Sequence, residues 1–84
     1  MAEDAKSRLF LVETGAAPDA LLRVLSVCAA RQVSLAAVAF NEGPDGGQVR
    51  IETRVGEADA ARLRAQLQGL PSVRGVSMGW RASP

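Results

Sequence analysis

The order of strand-like and helix-like segments along this chain predicts an α+β sandwich, in which a four-stranded antiparallel sheet carries two helices on one face. Three observations carry that expectation. The stretch QVRIETRV (48–55) alternates apolar and polar residues with the period of a half-buried strand. Two segments, 18–32 and 57–70, set Leu, Val and Ala at helical spacing. The cluster EGPDGG (42–47) is dense in turn residues, so the strands on either side of it should form a hairpin.

RLFLVET (8–14) is rich in strand formers and too short for a helix. Leu9 and Leu11 point to one face, Phe10 and Val12 to the other, and a strand apolar on both sides belongs in the middle of its sheet. After the turn GAAPDA, Pro18 suits the first turn of a helix, where its missing N–H is no loss, and Asp19 complements the positive helix end. Leu21, Val24, Leu25 and Cys28 make one apolar stripe, with Arg23 and Arg31 off it, so the helix is expected from about Pro18 to Gln32. SLAAVAFN (34–41) reads as the second strand and QVRIETRV as the third. Gly56 interrupts that strand. Ala60, Leu63, Leu67 and Leu70 then form the stripe of a second helix, which Gly69 ends and Pro71 keeps from resuming. In SVRGVSMGW (72–80), Val76, Met78 and Trp80 alternate with Gly75, Ser77 and Gly79, a last strand with one nearly bare face. Residues 1–7 and 81–84 read as disordered tails around a single domain, 8–80.

The resulting order, β-α-β-β-α-β, with right-handed crossovers, is that of the ferredoxin-like sandwich, whose first and third strands are central. Its helices cover one sheet face. Phe10, Val12, Val38 and Phe40 are expected on the other, as an apolar surface for a partner. The small residues of the last strand would let a second backbone approach closely. Trp80 reads as a plug of either the core or an interface, the interface being favoured. A homodimer, or a complex with a larger protein, is the expectation.

Absences narrow the chemistry. The 84 residues contain no His and a single Cys, Cys28, which excludes a His general base, a Ser-His or Cys-His pair and nearly all zinc or copper thiolate ligation. Cys28 lies on the helical stripe and reads as a buried structural thiol. Glu13, Glu52, Asp19 and Asp45 have no spacing that pairs them as acid and base, so no catalytic residue, metal or cofactor is assigned. Ten basic and nine acidic residues give a net charge of +1, too balanced to imply a nucleic-acid or membrane partner. The arginines at 50, 54, 62, 64 and 74 read as a solvated rim, because no aromatic residues interleave with them to stack bases. The start, MAEDAKSR, lacks the apolar stretch of a signal peptide, and no segment approaches the length of a membrane span, so a soluble, cytoplasmic protein is expected.

One turn is open to a functional reading. In residues 15–21 (Gly15, Ala16, Ala17, Pro18, Asp19, Ala20 and Leu21) the first N–H groups of a helix face outward, where a small carboxylate could sit. The alternative is an ordinary strand-to-helix connection, since Ala16 and Ala17 have no hydrogen-bonding side chain.

From RLFLVET through PDALLRVLSVCAARQVSLAAVAF, GGQVRIETRV and LRAQLQGLPSVRGV, the chain resembles an ACT domain, most of all the regulatory small subunits of acetolactate synthase. ALLRVLSVCAARQVSL matches that family's first helix and following strand, with Arg23, Val24 and Arg31 in register. Leu67, Leu70, Pro71, Val73 and Val76 match its second conserved stretch. The resemblance implies a non-catalytic module that binds an amino acid at a dimer interface, beside the first strand–helix turn, and regulates a larger catalytic subunit in branched-chain amino-acid biosynthesis. Where the family has Asn and Gly in that turn, this chain has Ala16 and Asp19. A module that only assembles or stabilises its partner is the alternative. The acylphosphatase-like use of the topology is excluded, because ETGAAPDA contains neither the Arg nor the Asn it needs.

Overall fold

A computed structural model describes residues 6–16 and 18–80. The chain runs β1 (Lys6–Thr14), α1 (Ala20–Ala30), β2 (Leu35–Gly43), β3 (Gly46–Val55), α2 (Glu57–Gln68) and β4 (Val73–Trp80). All neighbouring strands are antiparallel, in the order β2-β3-β1-β4, so β1 and β3 are central as the topology requires. β1 begins at Lys6, two residues inside the expected tail. The tail assignments for 1–5 and 81–84 lie outside the described residues.

Register decides which face of β1 is the core. Phe10 stands opposite Ile51 and Met78, and Val12 opposite Val49 and Val76. Leu9 stands opposite Glu52 and Gly79, and Leu11 opposite Arg50 and Ser77. The face on which every central strand is apolar is therefore that of Phe10, and the helices cover it. Phe10 and Val12, expected on the open face, are 0% exposed and pack with Val24, Cys28, Leu63 and Leu67. Val38 and Phe40, opposite Ile51 and Val49, also lie on the helix side. They stay 41% and 38% exposed because β2 is the outer strand, while α2 lies over β1 and β4 with α1 beside it. The open face belongs instead to half-buried Leu9 and Leu11, flanked by Ala37 and Ala39 of β2, Arg50 and Glu52 of β3, and the nearly bare Gly75, Ser77 and Gly79.

α1 is shorter than its stripe suggests. Pro18 and Asp19 precede it in the turn, with Asp19 at the N-cap and its carbonyl accepting the Arg23 N–H at 3.0 Å. At the other end Val33 N–H donates to Cys28 O and Gln32 N–H to Ala29 O, both at 3.0 Å. That 6→1 and 5→2 pair is the Schellman closure, and its C′ position is left-handed: Gln32 has φ 56°. α2 starts after Gly56 with Glu57 and Asp59 in its first turn, where carboxylates suit the helix dipole, and closes at Gly69.

Two glycines fix the β2–β3 hairpin to the rest of the sheet. Gly46 has φ +146°, and a Cβ there would lie 2.2 Å from the carbonyl oxygen of Thr14. A Cβ on Gly47 would lie 2.7 Å from the Phe40 ring. Only glycine lets the hairpin close this tightly on the end of β1. No helix among the described residues is long and apolar enough to cross a membrane.

Candidate functional site

The β1–α1 turn is built where the sheet's central strand ends beneath two connections. Gly15 N–H donates to Ser72 O at 2.8 Å, tying the turn to the α2–β4 loop. The residues next to this contact carry two buried hydroxyls, that of Thr14 lying toward the hairpin, 3.1 Å from where a Gly47 Cβ would stand. Thr14 Oγ1, on a residue 2% exposed, and Ser72 Oγ have no hydrogen-bond partner. A buried hydroxyl without a partner costs about 1–3 kcal/mol. The Arg74 guanidinium lies beside the turn: a Cβ on Gly15 would lie 3.8 Å from its Nε and 3.9 Å from its Nη2. No ion pair among the described residues engages that guanidinium.

Of the residues expected here, Gly15 and Ala16 form the turn, Pro18 and Asp19 lead into α1, Ala20 is buried and Leu21 packs against the core. Ala17 lies outside the described residues. Asp19 does not present a lone carboxylate to the turn. Its Oδ2 accepts from Arg23 Nε at 2.6 Å, one helical turn on, and this hydrogen bond is the main cause holding its carboxyl below the usual value. Ser72, Arg74 and Thr14 were not among the expected site residues. Nothing in their local patterns marks them; they reach this end of the sheet only because β4 pairs with β1 and its preceding loop is tied to Gly15. Leu22, beside the turn, is 68% exposed.

The residues expected at an interface do not share one surface. Phe10 and Val12 are core, Val38 and Phe40 form a partly exposed edge, and the side chain of Trp80 lies outside the described residues. Among the described residues no group of three or more His, Cys, Asp or Glu is placed to hold a metal ion. Burial raises the Cys28 thiol above its usual pKa, opposite to what a nucleophile needs.

No family model matches the sequence, and no curated protein matches it. Solved structures do. The ACT domain of the GTP pyrophosphokinase of Chlorobium tepidum superposes with a TM-score of 0.79 at 10% identity, covering 89% of this chain and 99% of that one. The C-terminal domain of the MgtC protein from Mycobacterium tuberculosis gives 0.74 at 18% identity over 96% and 93% of the two chains. A homoserine dehydrogenase from Thiobacillus denitrificans gives 0.71 at 18% identity, covering 93% of this chain but 18% of the dehydrogenase. At these identities the likeness speaks to architecture. The chain has the ACT-like form of the ferredoxin-like βαββαβ sandwich.

Proposed function

We propose that this chain is a non-catalytic, ACT-type regulatory module that binds a small amino acid at the β1–α1 turn and acts on a larger enzyme. The guanidinium of Arg74 beside Gly15 of that turn carries the reading. A guanidinium matches a carboxylate in charge and fork geometry, and hydroxyls can accept from an ammonium group. The sequence resemblance makes the small subunit of acetolactate synthase the specific form of the proposal, with a branched-chain amino acid as effector. A cytoplasmic setting accords with a lone, buried thiol.

The open sheet face supports a partner. Leu9 and Leu11 give it an apolar centre, and a Cβ added at Gly75 or Gly79 would meet nothing within 4 Å. A second copy of the chain stacked or paired there would make the homodimer that the resemblance implies. Regulation would then follow from an effector that favours one arrangement of the assembly over another.

Calorimetric titration with valine, leucine, isoleucine, glycine and serine tests the effector directly. Saturable binding of one of them, lost in Arg74→Ala, is expected. Absence of binding to all five, in a protein that still captures a synthase subunit, would leave the assembly module in its place. The two alanines of the turn, which contribute no polar side chain, are what favours that second reading.

A further inference from the structure

β2 is an outer strand, bonded to β3 along one side and to no strand among the described residues along the other. All of its residues are exposed. Edge strands are commonly kept from pairing by a lysine, a proline, shortness or a bulge that twists them away. From Ala37 to Asn41 β2 has none of these: AVAFN carries no charge and no proline, and the bulge lies before it, between Leu35 and Ala37. The opposite edge is different. α2 packs on β4, where Val76 is buried, and β4 carries Arg74 and two glycines.

Exposed apolar side chains flank the open backbone of β2. Leu35, Val38 and Phe40 face Thr53, Ile51 and Val49, so all three stand on the helix side of the sheet. The bulge brings Leu35 to that side although it lies three residues before Val38. Each is exposed over more than a third of its surface. α2 lies over β1 and β4, so α1, beside it, is the helix on the β2 side. Leu22, Ser26, Ala29 and Ala30 of α1 are exposed as well, and from Val24 to Asn41 the only charged residue is Arg31. One flank of the molecule is therefore apolar and ends in unpaired backbone.

Whatever covers this flank must supply a strand edge and an apolar layer together. An extended peptide would pair the backbone but leave the row of Leu35, Val38 and Phe40 in water. A second copy of the chain brings the same edge and the same row at the same height. A two-fold axis perpendicular to the sheet would pair the two β2 strands antiparallel, with the helices of both copies on one side. Facing residues in such a pair point to the same side, so the axis must pass beside a residue. Centred on Ala39, it sets Val38 against the partner's Phe40 and Phe40 against the partner's Val38, with Ala37 against the partner's Asn41. Two aromatic–β-branched pairs result, and over Ala37–Asn41 no charge meets a like charge. An axis at Val38 would set Phe40 against the bulge, and one at Phe40 would set Val38 against Glu42.

We propose that the chain pairs with a second copy of itself through β2, centred on Ala39, joining two four-stranded sheets into one of eight strands. The pairing satisfies the open edge and covers the apolar row beside it in one step. It leaves the open sheet face, with Leu9 and Leu11, free for the larger enzyme or for a further copy. It stands whether or not an amino acid binds at the β1–α1 turn.

The test uses the full chain with Cys28→Ala, so that no native thiol reacts, and without amino acid, so that the outcome is independent of the effector site. In that background Ala39→Cys should be joined into a dimer by a one-carbon bis-thiosulfonate linker. Ala37→Cys should give at least tenfold less, because the two copies of residue 37 would stand four residues, about 13 Å, apart along the strands. Sedimentation of the native chain over a concentration series should show a dimer. Val38→Lys should weaken it at least tenfold while the thermal melt shows an intact fold. A monomer at every concentration, equal cross-linking at positions 37 and 39, or a dimer unchanged in Val38→Lys would overturn the pairing.

Discussion

Phe10 on β1 stands directly opposite Ile51 on β3, and both are fully buried beneath the helices. Their neighbour Leu9 points the other way, opposite Glu52, and keeps part of its surface in solvent. The two residues should therefore separate stability from association. Phe10→Ala is expected to cost about 3–5 kcal/mol, read as a fall in denaturation midpoint. Leu9→Ala should cost no more than about 1.5 kcal/mol and should weaken self-association or partner capture instead. Sedimentation of both variants over a concentration series checks the split.

Thr14→Val tests whether a functional site is maintained at the expense of stability. Removing a buried hydroxyl that lacks a partner should raise stability by about 1 kcal/mol in the free protein. The same change should abolish any effector binding at the turn. Chemical denaturation with and without the amino acid measures both effects on one sample.

Gln32→Gly is expected to stabilise the fold by about 0.5–1 kcal/mol, since glycine adopts the left-handed C′ conformation without strain. Gln32→Val should do the reverse, because a β-branched residue resists positive φ. Thermal melts of the two variants should move in opposite directions.

Cys28 predicts a pH dependence of definite sign. Burial raises the thiol pKa in the folded state above the value of 9.0 that an unburied cysteine has. Above pH 9 the unfolded chain loses this proton first, so stability from the thiol is complete below that pH and is lost as pH climbs toward the folded value. Denaturation at pH 8 and pH 10 should show a drop that shrinks in Cys28→Ala. In the native protein at neutral pH, Cys28 should react with a thiol reagent only as fast as the chain opens.

Much of the architecture was legible because local signals agreed. QVRIETRV alternates cleanly, EGPDGG marks the hairpin, and Gly69 with Pro71 closes α2 where the structure closes it. β1 defeated local reading, since both its faces are apolar. Which one is core follows only from its register with Val49 and Ile51, a non-local fact. The end of α1 was misjudged for a similar reason: Gln32 carries no glycine-like stop signal, yet the Schellman bonds from Gln32 and Val33 end the helix there. The turn was correctly singled out as a place, but its chemistry comes from Ser72 and Arg74, almost 60 residues further on and brought in by sheet pairing.

The glycine at position 46 has a mechanical consequence. Its backbone is wedged against the carbonyl of Thr14, with no room for even a methyl group between them. A shift of the Thr14 backbone therefore presses on the hairpin tip, and β2, an edge strand, is free to follow it. The tip is a natural pointer: a fluorophore or spin label at exposed Asp45 would report, from outside, events at a hydroxyl hidden from solvent.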